Sequence, residues 1–471
     1  MRRIRFGLQG GLSAGDLRTV HGEVLRVLER VGMECQHPRT LAAAAGTPGV
    51  RVAGQRVYFK PDFVEELVAA IRRENPGEPL GEEITISGPW NCLNVIDLET
   101  GAVRPTTAAD VRQMFKLVHA ARAGCICPVY PHDLPPRLQV LFLEKAALEL
   151  TEAEGQQLEF SDPEMLEYAI AMYRAAGKPY HLHVQFPVSP LRTNTLGLEQ
   201  IWNYKDRAGV RVTALAAPIP QAGLTAPLFM PGGLVLAVAE ALGACALVRI
   251  IGGGRLACHP QFRLDLFDMR DQNIVYASPD HILVQLLLKD VYQFYYGRPK
   301  PGHFLQCNAK RCDAQAILER TAYLLTLALA GERRFCLGAG QLSMDEVFSP
   351  ALFVIDQEIA RFLTHIVRGI GWDERAGLAF ETIAEVGPGG EFLSHPTTLE
   401  TFRELFDSWL FRRMGVNKWR AAGEPAIEAL AAARAKELIA SHSHALPAAT
   451  QAEIDRIYAA AEKLAREKAS P

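Results

Sequence analysis

The side chains best able to do chemistry fall into five short groups. Between Tyr180 and Phe186, the residues His181, His183 and Gln185 alternate onto one face, and Phe186 opens the loop beyond. Turned inward, His183 and Gln185 would meet a ligand; the plain alternative is a core histidine bonded to a neighbour. Gln221 and Thr225 sit in QAGLTAP with Phe229 just after it. They offer polar contacts and an aromatic wall, or else a proline-shaped turn and helix-start packing. Asn308 and Lys310, in CNAKRCDAQA, stand between a strand and a helix that Asp313 can cap. An ammonium there can hold a carboxylate or join a structural ion pair. Gln341, Asp345, Glu346 and Phe348 follow the strand end LGAG; the two acids can balance a bound cation or face water. His395 follows the tight loop Gly387-Pro388-Gly389-Gly390, where Thr397 and Thr398 also suit a helix start.

Metal chemistry has weaker support. Cys125 and Cys127 alternate onto one strand face, Cys258 adjoins His259, and Cys307 and Cys312 bracket a loop. None of these is a CxxC or HxxxH spacing, so no tightly bound metal is expected. Gly252-Gly253-Gly254 opens GGGRLACH, which is no phosphate-binding sequence.

The elements that must position these residues are organised around Val210 to Gly254. Val210–Leu215 reads as a buried strand, followed by a loop punctuated by Pro218, Pro220, Gly223 and Pro227. A helix is expected from about Gly233 to Leu242, and a second apolar strand over Ala246–Ile251. That is one β-loop-α-β unit, and (β/α) barrels carry their chemistry on such loops. Leu228 to Ile251 is apolar enough to suggest a membrane span, but Pro231, Gly232, Glu240 and Arg249 interrupt it.

Further strands are expected at Leu93–Ile96, Gly124–Val129, Gln157–Phe160, Tyr180–Phe186, His303–Gln306 and Arg334–Leu337. Helical periods at Thr107–Arg122, Leu138–Glu149, Pro163–Ala176, Ile282–Tyr296 and Asp313–Ala330 lie between strands. Eight strands is the number a closed (β/α)8 TIM barrel needs, with an open doubly wound sheet as the alternative. Before it, residues 1–85 read as a small α+β cap. Its helix from Ala14 to Val31 is capped by Ser13 and sets Leu17, Val20, Val24, Leu28 and Val31 on one apolar face; a hairpin over 50–59, a helix from Pro61 and a linker at Pro76–Glu82 follow. The barrel is expected over 86–348. Residues 349–471 read as a helical extension through Phe353–Gly369, Leu399–Phe411, Glu424–Ser441 and Gln451–Glu467.

The totals bound the function. A net charge of −3 over 471 residues, without a basic run, gives no reason to expect nucleic acid. Nine cysteines is an odd number, scattered as reduced thiols would be, and the N-terminal stretch has no signal-like apolar run. A cytoplasmic protein, with no membrane contact, is expected.

Several longer stretches carry a resemblance: LSAGDLRTVHGEVLRVLERVG, NVIDLETGAVRPTTAADV, QAGLTAPLFMPGGLVLAVAEALG, CNAKRCDAQA, LGAGQ, VFSPALFVIDQEIARFLTHIVRGI and EVGPGGEFLSHPTTLETFRELF. In that order along nearly the whole chain, they resemble the trimethylamine methyltransferase (MttB-like) superfamily of corrinoid-dependent methyltransferases. The resemblance implies a TIM barrel that moves a methyl group from an amine to the cob(I)alamin of a separate corrinoid protein. The founding members carry pyrrolysine; this chain has only standard residues and is similar to the non-pyrrolysine branch, which acts on glycine betaine and other quaternary amines. A quaternary nitrogen departs neutral, so the protein has to hold the cation with one methyl facing out. Aromatic faces suit such a cation, and a betaine carboxylate needs a cationic or amide partner.

The resemblance makes Lys310 and Asn308 the catalytic candidates, because relatives commonly carry lysine at the position of Lys310. Cys307 and Asn308 depart from the small or methionine residue and the acid expected beside it. By their position His183, Phe186, Gln221, Thr225, Phe229, Gln341, Asp345, Glu346, Phe348 and His395 are the candidate substrate contacts, and a homo-oligomer is expected. Two alternatives stand: a zinc-dependent corrinoid methyltransferase for methylated oxygen or sulfur compounds, and a barrel that binds methylamines without catalysis.

Overall fold

Ser13 accepts a hydrogen bond from the Asp16 backbone while the Asp16 carboxylate reaches back to Ser13, a reciprocal cap that starts the helix Ala14–Arg30. The computed structural model describes residues 2–74, 81–124, 129–152, 160–254, 256, 258–297, 302–372 and 379–468. Leu17, Val20, Val24 and Leu28 form the buried stripe of that first helix, which packs on the long helix Met230–Gly252. The expected hairpin is present as Val50–Ala53 against Arg56–Phe59, and its sheet continues through Met33–Glu34 to Arg192–Thr193 and Pro187–Val188. The helix Pro61–Glu74 follows. The Pro76–Glu82 linker lies mostly outside the described residues.

The fold is mixed α/β. Among the described residues the strands form six small sheets, none closed into a barrel. Two of them are parallel triplets. One orders Cys258–Pro260, Val210–Ala216 and Tyr180–Gln185, with Leu215 opposite both Gln185 and His259. The other orders His303–Phe304, Arg334–Leu337 and Thr85–Ile86. The expected strands Gly124–Val129 and Gln157–Phe160 fall almost wholly outside the described residues.

One strand expectation is corrected. Ala246–Ile251 is not a strand but the last turns of the helix Met230–Gly252, and the parallel strand comes later, at Cys258–Pro260. This helix is apolar on every side because it is surrounded by protein, so no polar face marks its period and its β-branched end mimics a strand. It is also, among the described residues, the one helix long and apolar enough to cross a membrane, and 78% of its apolar window is buried inside the protein. Gly243 lets it approach the cap closely: a Cβ there would lie 2.7 Å from the Met33 side chain. The expected strand at Leu93–Ile96 is present as Asn94–Ile96, which pairs antiparallel with Val103–Pro105 and parallel with Val347–Phe348. The strand beside Arg334–Leu337 is the short Thr85–Ile86, hidden in sequence by the acidic residues before it.

Most helices fall where the apolar period puts them: Ala108–Ala120, Pro136–Leu150, Pro163–Ala175, Pro279–Tyr296 and Ala314–Leu329. In the C-terminal third, Pro350–Arg368 and Ala448–Glu467 are long helices. Leu399–Phe411 is instead the short helix Pro396–Thr401, a 3-10 turn at Phe402–Glu404 and then a loop. Ser408 holds that loop by accepting from the Leu410 and Phe411 backbone and donating to Glu358. Glu424–Ser441 is realised as Ile427–Ala440.

Candidate functional site

A cavity of about 480 Å3 opens where the parallel strands end. Gln185 closes its strand, Leu215 and Ala217 stand at the end of the next, and Gln261 follows Pro260 directly. Phe304 and Gln306 continue His303–Phe304, and Leu337 ends the strand Arg334–Leu337; all line the cavity. The C-terminal ends of parallel strands are where α/β folds bind ligands. A larger cleft of about 970 Å3, around Arg361, His365, Arg368 and Phe402–Asp407, lies away from these strand ends.

Opposite charges and aromatic faces share this space. Arg263 lies 2.7 Å from Asp265 and donates through Nη2 to the Tyr276 hydroxyl (3.1 Å) and to Gln306 Oε1 (3.3 Å). Its guanidinium sits 4.9 Å above the Phe304 ring. Burial works against this charge, but the Asp265 carboxylate outweighs it and holds Arg263 protonated. Trp90, Tyr276 and Tyr292 add further aromatic surface.

Asp345 is carried in on a strained loop. Ser343, Met344 and Asp345 have φ of 50°, 55° and 80°, three successive residues in the left-handed region. Such strain persists only where surrounding structure fixes it. The Asp345 carboxylate accepts from Gln306 Nε2 and, at 3.0 Å, from Gln341 Nε2. Burial pushes its pKa up to about 6, against the pull of Gln306 and Arg263. Gln341 also donates to the Trp90 carbonyl, while its Oε1 is buried with no hydrogen-bond partner among the described residues.

A buried ion pair sets the turn that presents Gln341. Arg320 and Asp356 are fully buried; Arg320 donates to the Gly338 and Gln341 carbonyls, and Asp356 accepts from the Gly340 backbone. Gly338 has φ of 114°, and a Cβ there would lie 1.9 Å from the Leu305 carbonyl oxygen.

Of the residues singled out from sequence, Gln221, Gln341 and Asp345 line the cavity. Thr225 braces Gln221, accepting from its backbone N–H at 2.9 Å. Asn308 stands behind the wall: its Oδ1 accepts from the Tyr276 backbone and its Nδ2 donates to the Ile274 carbonyl (2.8 Å). Lys310 is exposed and does not line the cavity. His183 shares a strand face with Gln185 but sits two residues earlier; its Nδ1 is buried without a partner among the described residues, and burial beside His181 presses its pKa down to about 4. Phe186 is wholly buried, Phe348 packs in the core, and Phe229 is 72% exposed at a helix start. Glu346 is exposed and accepts from Ser343, and His395 caps the helix Pro396–Thr401.

The cysteines do not meet at this wall as a group. Cys125 and Cys127 lie outside the described residues, the Cys258 sulfur is 2.7 Å from that of Cys245, and Cys307 is buried against Arg320. Sequence reasoning passed over Arg263, Gln306, Phe304, Trp90 and Tyr276. Arg263 follows the strand Cys258–Pro260, so placing that strand at Ala246–Ile251 hid the strand end that carries it. Gln306 ended an expected strand and was recoverable on that ground.

A family model described as Trimethylamine methyltransferase (MTTB) matches residues 7–463. A glycine betaine methyltransferase of Desulfitobacterium hafniense (strain Y51) is 26% identical, over 94% of both chains. A trimethylamine methyltransferase, MttB, of Desulfitobacterium hafniense (strain DSM 10664 / DCB-2) is 27% identical over 89% of this chain and 86% of its own. An L-carnitine:corrinoid methyltransferase of Eubacterium limosum is 22% identical over 85% of this chain and 86% of its own.

Proposed function

The chain belongs to the trimethylamine methyltransferase family, and from that premise we propose that it moves a methyl group from a carboxylated quaternary amine to the corrinoid of a partner protein. The observation that carries the substrate class is the cavity wall, where aromatic rings, the Asp345 carboxylate and the Arg263 guanidinium face one small space. A trimethylammonium group fits against Trp90 and Phe304 with Asp345 as counter-ion. The Arg263 Nη1 N–H groups, which Asp265, Tyr276 and Gln306 do not engage, suit the substrate carboxylate. Relatives named for glycine betaine and carnitine, both carboxylated quaternary amines, support the same reading.

About 480 Å3 holds a small amine but not a corrin macrocycle as well, so no lining residue is assigned to the corrinoid, which belongs to the partner. When docked, a reduced corrinoid supplies a nucleophile able to take a methyl group from a nitrogen that leaves neutral. This chain's residues then bind and orient: Asp345 and the aromatic rings fix the cation, Arg263 sets which end points inward, and Gln221, Gln306 and Gln341 complete the wall. No protein acid is required, because the C–N electron pair returns to a nitrogen that already carried positive charge. Asn308 acts as a positioning residue through the Tyr276 segment.

The same reading takes the two parallel triplets as arcs of one (β/α)8 barrel, with residues before about 85 as a cap and those after 348 as a helical cover. Backbone bonds from Gly338 to Gly88 and from Gly88 to Gly124, each 3.0 Å, support continuation past Thr85–Ile86. A homo-oligomer in the cytoplasm is the expected form; exposed Phe380, Ile383, Leu393, Leu399 and Leu405 offer it a contact surface.

The test is to incubate the protein with cob(I)alamin and, separately, a carboxylated quaternary amine, its uncharged-tail analogue, a tertiary amine and a sulfonium. Methylated corrinoid is expected first and fastest from the carboxylated quaternary amine. Methylation from the tertiary amine alone, or from none of the four, overturns the proposal.

A further inference from the structure

Histidines from two distant stretches of the chain converge with a carboxylate at a place that takes no part in the cavity. His119 lies in the last turn of Ala108–Ala120, and Glu152 follows Pro136–Leu150. His442 and His444 lie in the connection between Ile427–Ala440 and Ala448–Glu467. The His119 ring centroid is 5.2 Å from that of His442 and 5.3 Å from that of His444. One ligand atom each from His119, Glu152 and His444 lie within 4.8 Å of one another.

Several features of the cluster suit a cation. The Nε2 of His444 is buried and has no hydrogen-bond partner among the described residues, a costly state for a ring nitrogen unless something coordinates it. His442 Nε2 lies 2.8 Å from the Leu150 carbonyl, which can only accept, so this nitrogen is the donor and Nδ1 is the atom left to face a cation. Lys178 is the opposing charge nearby; its ammonium is 3.3 Å from the Glu152 carbonyl oxygen, leaving the Glu152 carboxylate exposed.

We propose that His119, Glu152 and His444 form a binding site for a zinc-type divalent cation that ties the C-terminal helices to the helices Ala108–Ala120 and Pro136–Leu150. Tetrahedral zinc with bonds of about 2.0–2.1 Å holds its ligand atoms roughly 3.3 Å apart, so side-chain rotation of an ångström or two closes the site. The fourth position falls to water or to His442. Two histidines and one carboxylate are borderline-soft ligands that favour zinc, cobalt or nickel over magnesium or calcium. Because the ligands come from separate stretches, a search for close sequence spacings passes over them. The cation's role here is structural, since none of the four residues lines the cavity.

The full chain, stripped with a chelator, is titrated with cobalt(II) while ligand-field absorption and melting temperature are followed, and zinc is then added in competition. One equivalent is expected to bind, to raise the melting temperature, and to be displaced by zinc. His444→Ala and Glu152→Gln are expected to weaken binding at least tenfold; His365→Ala, outside the cluster, leaves it unchanged. Glu152 is exposed, so its variant folds whatever becomes of the half-buried His444 ring. Methyl transfer by the metal-free protein at low temperature is expected to persist. Absence of binding, or equal affinity in wild type, His444→Ala and Glu152→Gln, overturns the proposal.

Discussion

Replacing Asp345 by asparagine removes one charge from the cavity wall and one of the two amide hydrogen bonds its carboxylate accepts. Asn keeps an oxygen to accept from Gln306 or Gln341, and it tolerates the left-handed backbone at φ 80° better than other residues. A quaternary nitrogen in van der Waals contact with the carboxylate sits about 5 Å away, worth roughly 3 kcal/mol at an effective dielectric constant of about 20. The asparagine amide dipole recovers part of this, which brings the loss to about 2 kcal/mol, or roughly thirtyfold in affinity. The sign with pH follows from a carboxyl whose pKa stands at about 6 before the cation arrives. Binding the cation lowers that pKa, so affinity is full above pH 6 and falls as pH drops below it, levelling about 1.5 units lower. Titration calorimetry with a trimethylammonium carboxylate between pH 7.5 and 4.5 reads both effects. The wild type is expected to lose about fifteenfold across the range. Asp345→Asn should start about thirtyfold weaker and stay flat. An asparagine variant that binds as tightly as wild type, or keeps the acid-side loss, refutes the assignment of Asp345 as counter-ion.

Arg263→Lys keeps a charge beside Asp265 but loses the planar fork, so preference for carboxylated over uncarboxylated quaternary donors should fall about tenfold in kcat/KM; an unchanged ratio counts against a carboxylate site. Glu240 accepts from Ser189 and the Leu191 backbone inside the core, and burial pushes its pKa up to about 7. The folded state therefore holds this proton more tightly than the unfolded chain, and stability declines from pH 4.5 to 7 by about 3 kcal/mol from this group. Denaturant melts of Glu240→Gln should lack that decline, and identical pH profiles would contradict it. Gly338→Ala drives a methyl into the Leu305 carbonyl and should cost about 3 kcal/mol or more, whereas Gly54→Ala, at a turn open to solvent, should cost about 1 kcal/mol. Equal shifts in melting temperature would show that the Gly338 turn is not the constraint described.

Much of the fold was legible because its elements carry one-sided patterns. The first helix announces itself through Ser13, Asp16 and a four-residue apolar stripe, and Tyr180–Gln185 and Arg334–Leu337 alternate buried with less buried residues. The helix Met230–Gly252 was misread over its last turns because a helix surrounded by protein has no polar side to reveal its period. That error propagated to the site: shifting one strand hid Arg263, whose charge and fork shape the proposed specificity. Gln221, Gln341 and Asp345 were found since they follow strand ends, a positional signal that survives without coordinates. Lys310 had a favourable position but a side chain directed to solvent, and Asn308 took a backbone-bracing role that only long-range pairing reveals. Trp90 and Tyr276 come from loops remote in sequence, so nothing local marked them.

The account rests on the methyl donor occupying this cavity and no other. The measurement that meets it most directly is transfer from a donor labelled with carbon-13 in its methyl groups, followed by nuclear magnetic resonance in wild type and in Ala217→Trp. Ala217 lines the cavity, so a tryptophan there takes up space the donor needs. The wild type should convert the labelled amine to its demethylated product in step with methylated corrinoid. Ala217→Trp, with a melting temperature showing it folded, should convert none. Full transfer by that folded variant would place the chemistry elsewhere and contradict the account.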